Sequence, residues 1–191
     1  MCILDLSKTL MYDFHYNYVK KKYGDKASML FTDTDSLAYE IATEDFYKDI
    51  NPDVERLFDT SNFPEDHESG IKTGMNKKVP GMFKDETGGK QILEFVGLRA
   101  KLYSYRMKHL EEKKCKGVKK AVVKKTIAFA DYKRCLLHGK QMYRSMNIIR
   151  SHKHNIYSEQ VNKIALSRED DKRIILEDRI HTLAHGHHKH F

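Results

Sequence analysis

The chain has 191 residues, 40% of them hydrophobic and 32% charged, with three prolines and a formal net charge of +8. That is enough to bury a core as one ordinary domain or two small ones, and the composition excludes a wholly disordered chain. No run approaches the roughly 20 apolar residues of a membrane span, and the opening Met1-Cys2-Ile3-Leu4-Asp5 carries no basic leader, so neither a membrane nor a secretory route is expected.

In chain order, Leu6, Leu10, Phe14 and Tyr18 recur every fourth position with Met11 and Val19 beside them, which predicts an amphipathic helix over 5–22. Lys20, Lys21 and Lys22 in its last turn and Gly24 after it are the charge and cap of a helix end. Residues 27–32 and 36–41 favour strands and flank Asp33-Thr34-Asp35, predicting a hairpin with carboxylates at its tip. A short helix capped by Thr43 and another starting at Pro52 follow. Residues 59–79, with Pro64, Gly70 and Gly74, read as a long surface loop. Paired glycines at 88 and 89 predict a hairpin between 81–86 and 91–96, and 101–107 alternates as a third strand.

The Glu-Glu-Lys-Lys run after His109 predicts a boundary between units 1–109 and 110–191. Helices near 118–125 and 128–137 and an extended pair near 147–157 and 160–167 are expected beyond it. The histidine-rich end, 181–190, reads as a frayed terminus, since nothing fixes its geometry for a metal. The whole predicts an α+β fold: a helix under a small antiparallel sheet, then a basic subdomain of helices and a β-hairpin.

Charge divides unevenly. Residues 1–100 hold 13 Lys and Arg against 18 Asp and Glu, a net of −5, whereas 101–191 hold 22 against 9, a net of +13. Clustered cations favour a polyanion through counterion release, so nucleic acid is the expected partner. Three cysteines far apart, Cys2, Cys115 and Cys135, form no CxxC pair, and they fit a reducing nuclear or cytoplasmic compartment.

The chemistry concentrates in Phe31-Thr32-Asp33-Thr34-Asp35-Ser36-Leu37. In an extended chain Asp33 and Asp35 share a face, and two close carboxylates repel unless a cation sits between them; hard oxygen ligands select Mg2+ or Mn2+. A solvated turn is the bland alternative for a bare DxD. A calcium loop of EF-hand type fails, because Leu37 and Ala38 stand where an oxygen ligand and a glycine belong. A haloacid-dehalogenase-type phosphatase would use the same acids on a loop, but the strand pattern Leu37, Tyr39, Ile41 resumes at once.

Thr32-Asp33-Thr34-Asp35-Ser36 resembles motif C of family B DNA polymerases, usually YGDTDS, with Phe31-Thr32 in place of Tyr-Gly. Lys101-Leu102-Tyr103 resembles the KxY motif of the same family, in the right order, and Lys116-Gly117-Val118-Lys119-Lys120 is similar to the basic segment behind it. The phrases at 95–105 and 161–167 resemble protein-primed, virus-like polymerases of the Polinton type, and the resemblance covers nearly the whole chain.

The resemblance implies the carboxy-terminal part of a polymerase palm followed by a thumb. It implies two-metal nucleotidyl transfer with Asp35 as principal Mg2+ or Mn2+ ligand and Asp33 as a weaker one. Lys101 and Tyr103 would contact the primer terminus, and Lys116, Lys119 and Lys120 the duplex backbone. The implied partners are DNA primer-template, deoxynucleoside triphosphates and a terminal protein primer. Neither motif A, DxxSLYPS-like, nor motif B, KxxxNSxYG-like, occurs in the sequence, so the chain alone is expected to polymerise nothing. A non-catalytic nucleic-acid-binding relic of a mobile element is the alternative.

Overall fold

A computed structural model of the chain describes residues 2–169, 173–178 and 180–188. It is an α+β protein whose strands form small sheets, and among the described residues all pairings are antiparallel except one short parallel pair. Two compact units divide the chain, Met1–Ile92 and Leu93–Phe191. The division falls earlier than the boundary expected after His109, because 107–110 is the tight turn of a hairpin inside a three-stranded sheet. The charge asymmetry survives the shift: 1–92 holds 12 Lys and Arg against 17 Asp and Glu, and 93–191 holds 23 against 10. No helix among the described residues is long and apolar enough to cross a membrane.

The first unit opens with helix α1 (Cys2–Asp13), which runs through a π-helical segment (Phe14–Val19) into α2 (Lys20–Tyr23). Gly24 ends it at φ 56°, a conformation that costs glycine nothing. Met11 and Val19 are buried, while the expected apolar stripe is only partly covered: Leu6 and Leu10 remain exposed and Phe14 and Tyr18 pack on the core. Strands β1 (Ala27–Asp33) and β2 (Ser36–Ile41) form the predicted hairpin, as a two-stranded sheet of their own.

Helix α3 (Phe46–Ile50) is capped by Asp45, whose Oδ1 accepts from the amides of Tyr47 and Lys48 at 3.0 and 3.1 Å. Thr43, the expected cap, instead donates to Asp49. A 3-10 turn with Pro52 leads into α4 (Val54–Leu57) and β3 (Phe58–Asp59), and β3 pairs in parallel with β4 (Phe83–Lys84). The predicted hairpin of 81–86 with 91–96 therefore does not form. Instead Asp85 gathers the turn, accepting from Thr87 and Gly89 amides, and Gly89 at φ 81° lies so near His67 that a Cβ would come within 2.6 Å of its Nε2.

The segment expected as a surface loop, 59–79, has little regular structure but sends Phe63 and Ile71 into the core beside Ile50, Val54 and Phe58. Its buried polar groups are paired, as burial demands. Thr60 Oγ1 donates to the Lys72 carbonyl at 2.8 Å, and the Asn76 side-chain amide lies 2.9 to 3.1 Å from the carbonyls of Val54, Glu55 and Phe58.

The second unit contains the meander β5 (Glu94–Arg99), β6 (Leu102–Met107) and β7 (Leu110–Cys115), then α5 (Lys120–Thr126) and α6 (Phe129–His138). Alanine at position 128 cannot cap α6 through its side chain; the Asp131 carboxylate accepts from the Ala128 amide and Glu111 from the Phe129 amide. The core joins Leu102, Cys115, Val123, Phe129, Tyr132 and Leu166, and the fully buried Leu102 and Leu166 each contribute about 2 kcal/mol by leaving water.

A long two-stranded ribbon follows, β8 (Met142–His152) with β9 (Asn155–Leu166), turning at Lys153-His154 with φ of 46° and 63°. Two successive left-handed residues are what a two-residue hairpin loop needs. The expected extended pair is thus present, but its turn lies inside the segment predicted as the first strand. The histidine-rich end, expected to fray, contains β11 (Thr182–Ala184), paired with β10 (Arg173–Ile175). Lys189 and His190 lie outside the described residues.

Candidate functional site

Two places collect the residues singled out in the sequence. The first is the tip of the β1–β2 hairpin. Asp33 pairs with Ser36, leaving Thr34 and Asp35 as a two-residue turn. Thr34 takes φ 57°, the Asp35 amide donates to the Asp33 carbonyl at 2.6 Å, and Ser36 Oγ donates to the same carbonyl at 3.2 Å. The acids are therefore joined by a turn and not by the extended backbone from which their shared face was argued. A residue at positive φ reverses the chain and breaks the strand alternation.

Asp33 is half-buried, with Oδ1 3.5 Å from Thr34 Oγ1, and Asp35 is exposed. Both carboxylates stand at one loop end, with oxygen as the only donor type. That donor set suits Mg2+ or Mn2+, ions that commonly take one or two protein carboxylates and complete their shells with water or phosphate. Among the described residues no group of three or more His, Cys, Asp or Glu could hold a metal.

Beneath the hairpin an open cleft of about 720 Å3 is lined by Tyr12, His15, Tyr16, Lys20 and Thr32 among others. His15 Nδ1 and Tyr39 Oη are 2.8 Å apart, and burial pushes the Tyr39 phenol up to about 12. Tyr39 stays a neutral hydrogen-bonding group at neutral pH, and it ties the π-helical segment to β2.

The second place is basic. Lys101, read in sequence as the first residue of a strand, stands in the turn between β5 and β6 at φ 59°. Its carbonyl accepts from the Lys116 amide at 3.1 Å, so β7 returns Lys116 to the same end of the sheet. Gly117 turns the chain at φ 91°, and Lys119 and Lys120 open α5. Lys101, Lys116, Lys119 and Lys120 are all exposed. Cations at the amino end of a helix oppose its dipole at a cost of about 0.3–1 kcal/mol each, a placement that folding alone does not favour.

Tyr103 does not join them at the surface. It is 9% exposed, and its ring centroid lies 5.8 Å from that of Phe95. The side chain fills the meander, where alternation with Leu102 puts it on the opposite sheet face.

Arg99 and Arg144, not singled out as site residues in the sequence, extend the basic surface. Both act on the Cys115 thiol, which burial nonetheless pushes up to about 11. Arg144 is held by Thr126, whose Oγ1 and carbonyl accept from its guanidinium at 2.9 and 2.6 Å. Their closeness comes from strand register and helix packing, which no local sequence signal encodes. Compared with known proteins, the chain matches no protein-family model, no curated protein and no solved structure.

Proposed function

We propose that the chain is a nucleic-acid-binding fragment of a DNA-directed DNA polymerase of the family B, protein-primed kind, with a palm remnant bearing motif C and KxY followed by a thumb. The observation that carries the reading is the two-residue turn that presents Asp33 and Asp35 together at a hairpin tip within Thr32-Asp33-Thr34-Asp35-Ser36. A direct return of the strand supports a polymerase hairpin over a phosphatase loop, which needs room after its second acid.

Asp35, exposed on the turn, would be the principal ligand for Mg2+ or Mn2+, and Asp33 the weaker one. An ion held there would supply activation of a primer 3′-hydroxyl and charge stabilisation for a departing pyrophosphate. The chain's own part is to hold carboxylate oxygens at one end of a stiff hairpin and to grip phosphates with Lys101, Lys116, Lys119 and Lys120. Tyr103, buried beside Phe95, packs the sheet rather than touching the primer, and the backbone bond to Lys116 holds Lys101 in place. With no motif A carboxylate in the sequence, a bound ion would have no anchor beyond this hairpin, and the chain alone extends no primer.

A binding-only reading is favoured by one observation, the lack of a third metal-ligating side chain near the acids among the described residues. Mn2+ titration separates the two. Selective broadening of the Thr32–Ser36 amide signals, abolished by Asp35→Ala, supports the polymerase reading; uniform broadening or none supports binding alone.

A further inference from the structure

The register of the β8–β9 ribbon leaves two like charges together. Cross-strand pairing sets Lys163 directly opposite Arg144, and like charges so placed disfavour a ribbon. Lys163 is exposed and has no ion-pair partner among the described residues, whereas Arg150, further along the same face, is paired with Glu159 at 2.7 Å. The ribbon is a sheet of its own, so among the described residues no strand lies along the outer edge of β8 or β9. In β9 that edge is regular from Ser158 to Ile164, with no proline or glycine, and every residue there but the half-buried Val161 is exposed. Beyond it Ala165 and Leu166 turn into the core. A long exposed edge of this kind is a template for another strand.

We infer that the outer edge of β9 pairs antiparallel with β9 of a second copy of the chain, about a twofold axis at Val161. The charges select both the strand and the register. With the axis at Val161, Glu159 of each chain stands opposite the partner's Lys163, so two opposite-charge pairs form, and Gln160 stands opposite the partner's Asn162. An axis at Glu159 or Lys163 would bring like charges together, and one at Gln160 or Asn162 would set both charged residues opposite uncharged ones. Strand β8 offers no such register, because its Arg144 and Arg150 have one sign. The Glu159 carboxylate accepts from Arg150 and from the partner's Lys163 together, since a carboxylate has room for several donors. The partner's acid thereby offsets the Arg144–Lys163 repulsion that a single chain leaves standing. The same edge serves both copies, so the contact closes at two. It uses none of Lys101, Lys116, Lys119 or Lys120 and is independent of the nucleic-acid reading.

The test is sedimentation equilibrium of the full chain, freed of nucleic acid, at concentrations from about 10 µM to about 1 mM. The inference expects a monomer–dimer equilibrium within that range. Glu159→Lys and Lys163→Glu should each weaken the dimer at least about tenfold, because each turns two attractive cross-strand pairs into repulsive ones. The double variant, Glu159→Lys with Lys163→Glu, restores opposite charges across the axis and should return the dissociation constant to within about threefold of the parent. Mixing the two single variants should give a heterodimer tighter than either homodimer, which a misfolded variant could not form. A parent that stays monomeric throughout, a dimer indifferent to both single changes, or single variants that neither the double variant nor mixing rescues overturns the inference. Each of these outcomes leaves DNA binding untouched, since the four lysines proposed to grip phosphate are unchanged in every variant.

Discussion

The amide of Lys116 donates to the carbonyl of Lys101 across 3.1 Å, closing the end of a β-meander and setting two exposed lysines from distant parts of the sequence side by side. The bond is made by backbone, so it holds whatever the side chains are. Lys101→Ala, Lys116→Ala, Lys119→Ala and Lys120→Ala should each leave the fold intact. Each should weaken binding to all duplex sequences alike and reduce the slope of log affinity against log salt by about 1. Affinity titrations at several salt concentrations measure this.

Asp35→Ala should remove Mn2+ binding at the hairpin tip, whereas Asp33→Asn should weaken it, because Asp35 is exposed on the turn and Asp33 half-buried beside Thr34. Primer extension by the chain alone should not exceed that of Asp35→Ala. Extension above that control would refute the proposed dependence on a missing carboxylate.

Asn76 ties three carbonyls, two in α4 and one in β3, with one side-chain amide, and its own backbone is left-handed at φ 55°. Asn76→Gly relieves the backbone but loses the hydrogen bonds, so it should cost about 1–3 kcal/mol. Asn76→Ala should cost about 1 kcal/mol more, since alanine resists that conformation. Urea denaturation with an unchanged slope would measure both.

Acid should loosen the first unit. Burial pushes Asp53 and Asp59 up, but hydrogen bonds outweigh it and hold both carboxyls below their ordinary 3.8: Tyr18, Lys22 and Arg56 donate to Asp53, and Ser61 and Lys78 to Asp59. A carboxyl whose folded value is depressed stabilises the fold above its unfolded value and loses that contribution as pH falls through the folded one. Thermal stability should therefore be steady above pH about 4 and drop below it. Asp53→Asn should make the drop shallower, as followed by melting temperature between pH 7 and pH 2.5.

Cysteine labelling reads the core of the second unit. Burial raises the Cys115 thiol to about 11 and the Cys135 thiol in the same direction, while Cys2 is exposed. At pH 7.5 iodoacetamide should modify Cys2 alone in the folded chain and all three residues in denaturant, as counted by mass spectrometry.

The sequence by itself determined the elements whose signals are local. The Asp33–Asp35 hairpin, the helix ended by Gly24 and the two helices before the ribbon depend on alternation, periodicity and caps within a few residues, and they formed where those signals lie. The uneven charge was equally plain, because it needs no geometry. Tertiary structure decided the rest. Phe83 and Lys84 paired with Phe58 and Asp59 rather than across the Gly88-Gly89 turn, since Asp85 closes that turn on itself and the core takes Phe63 and Ile71 from the intervening loop. Tyr103 went inside, Thr34 reversed the chain between the two acids, and Lys101 met Lys116, because strand register and backbone handedness are settled by pairing across tens of residues, which short-range pattern cannot specify.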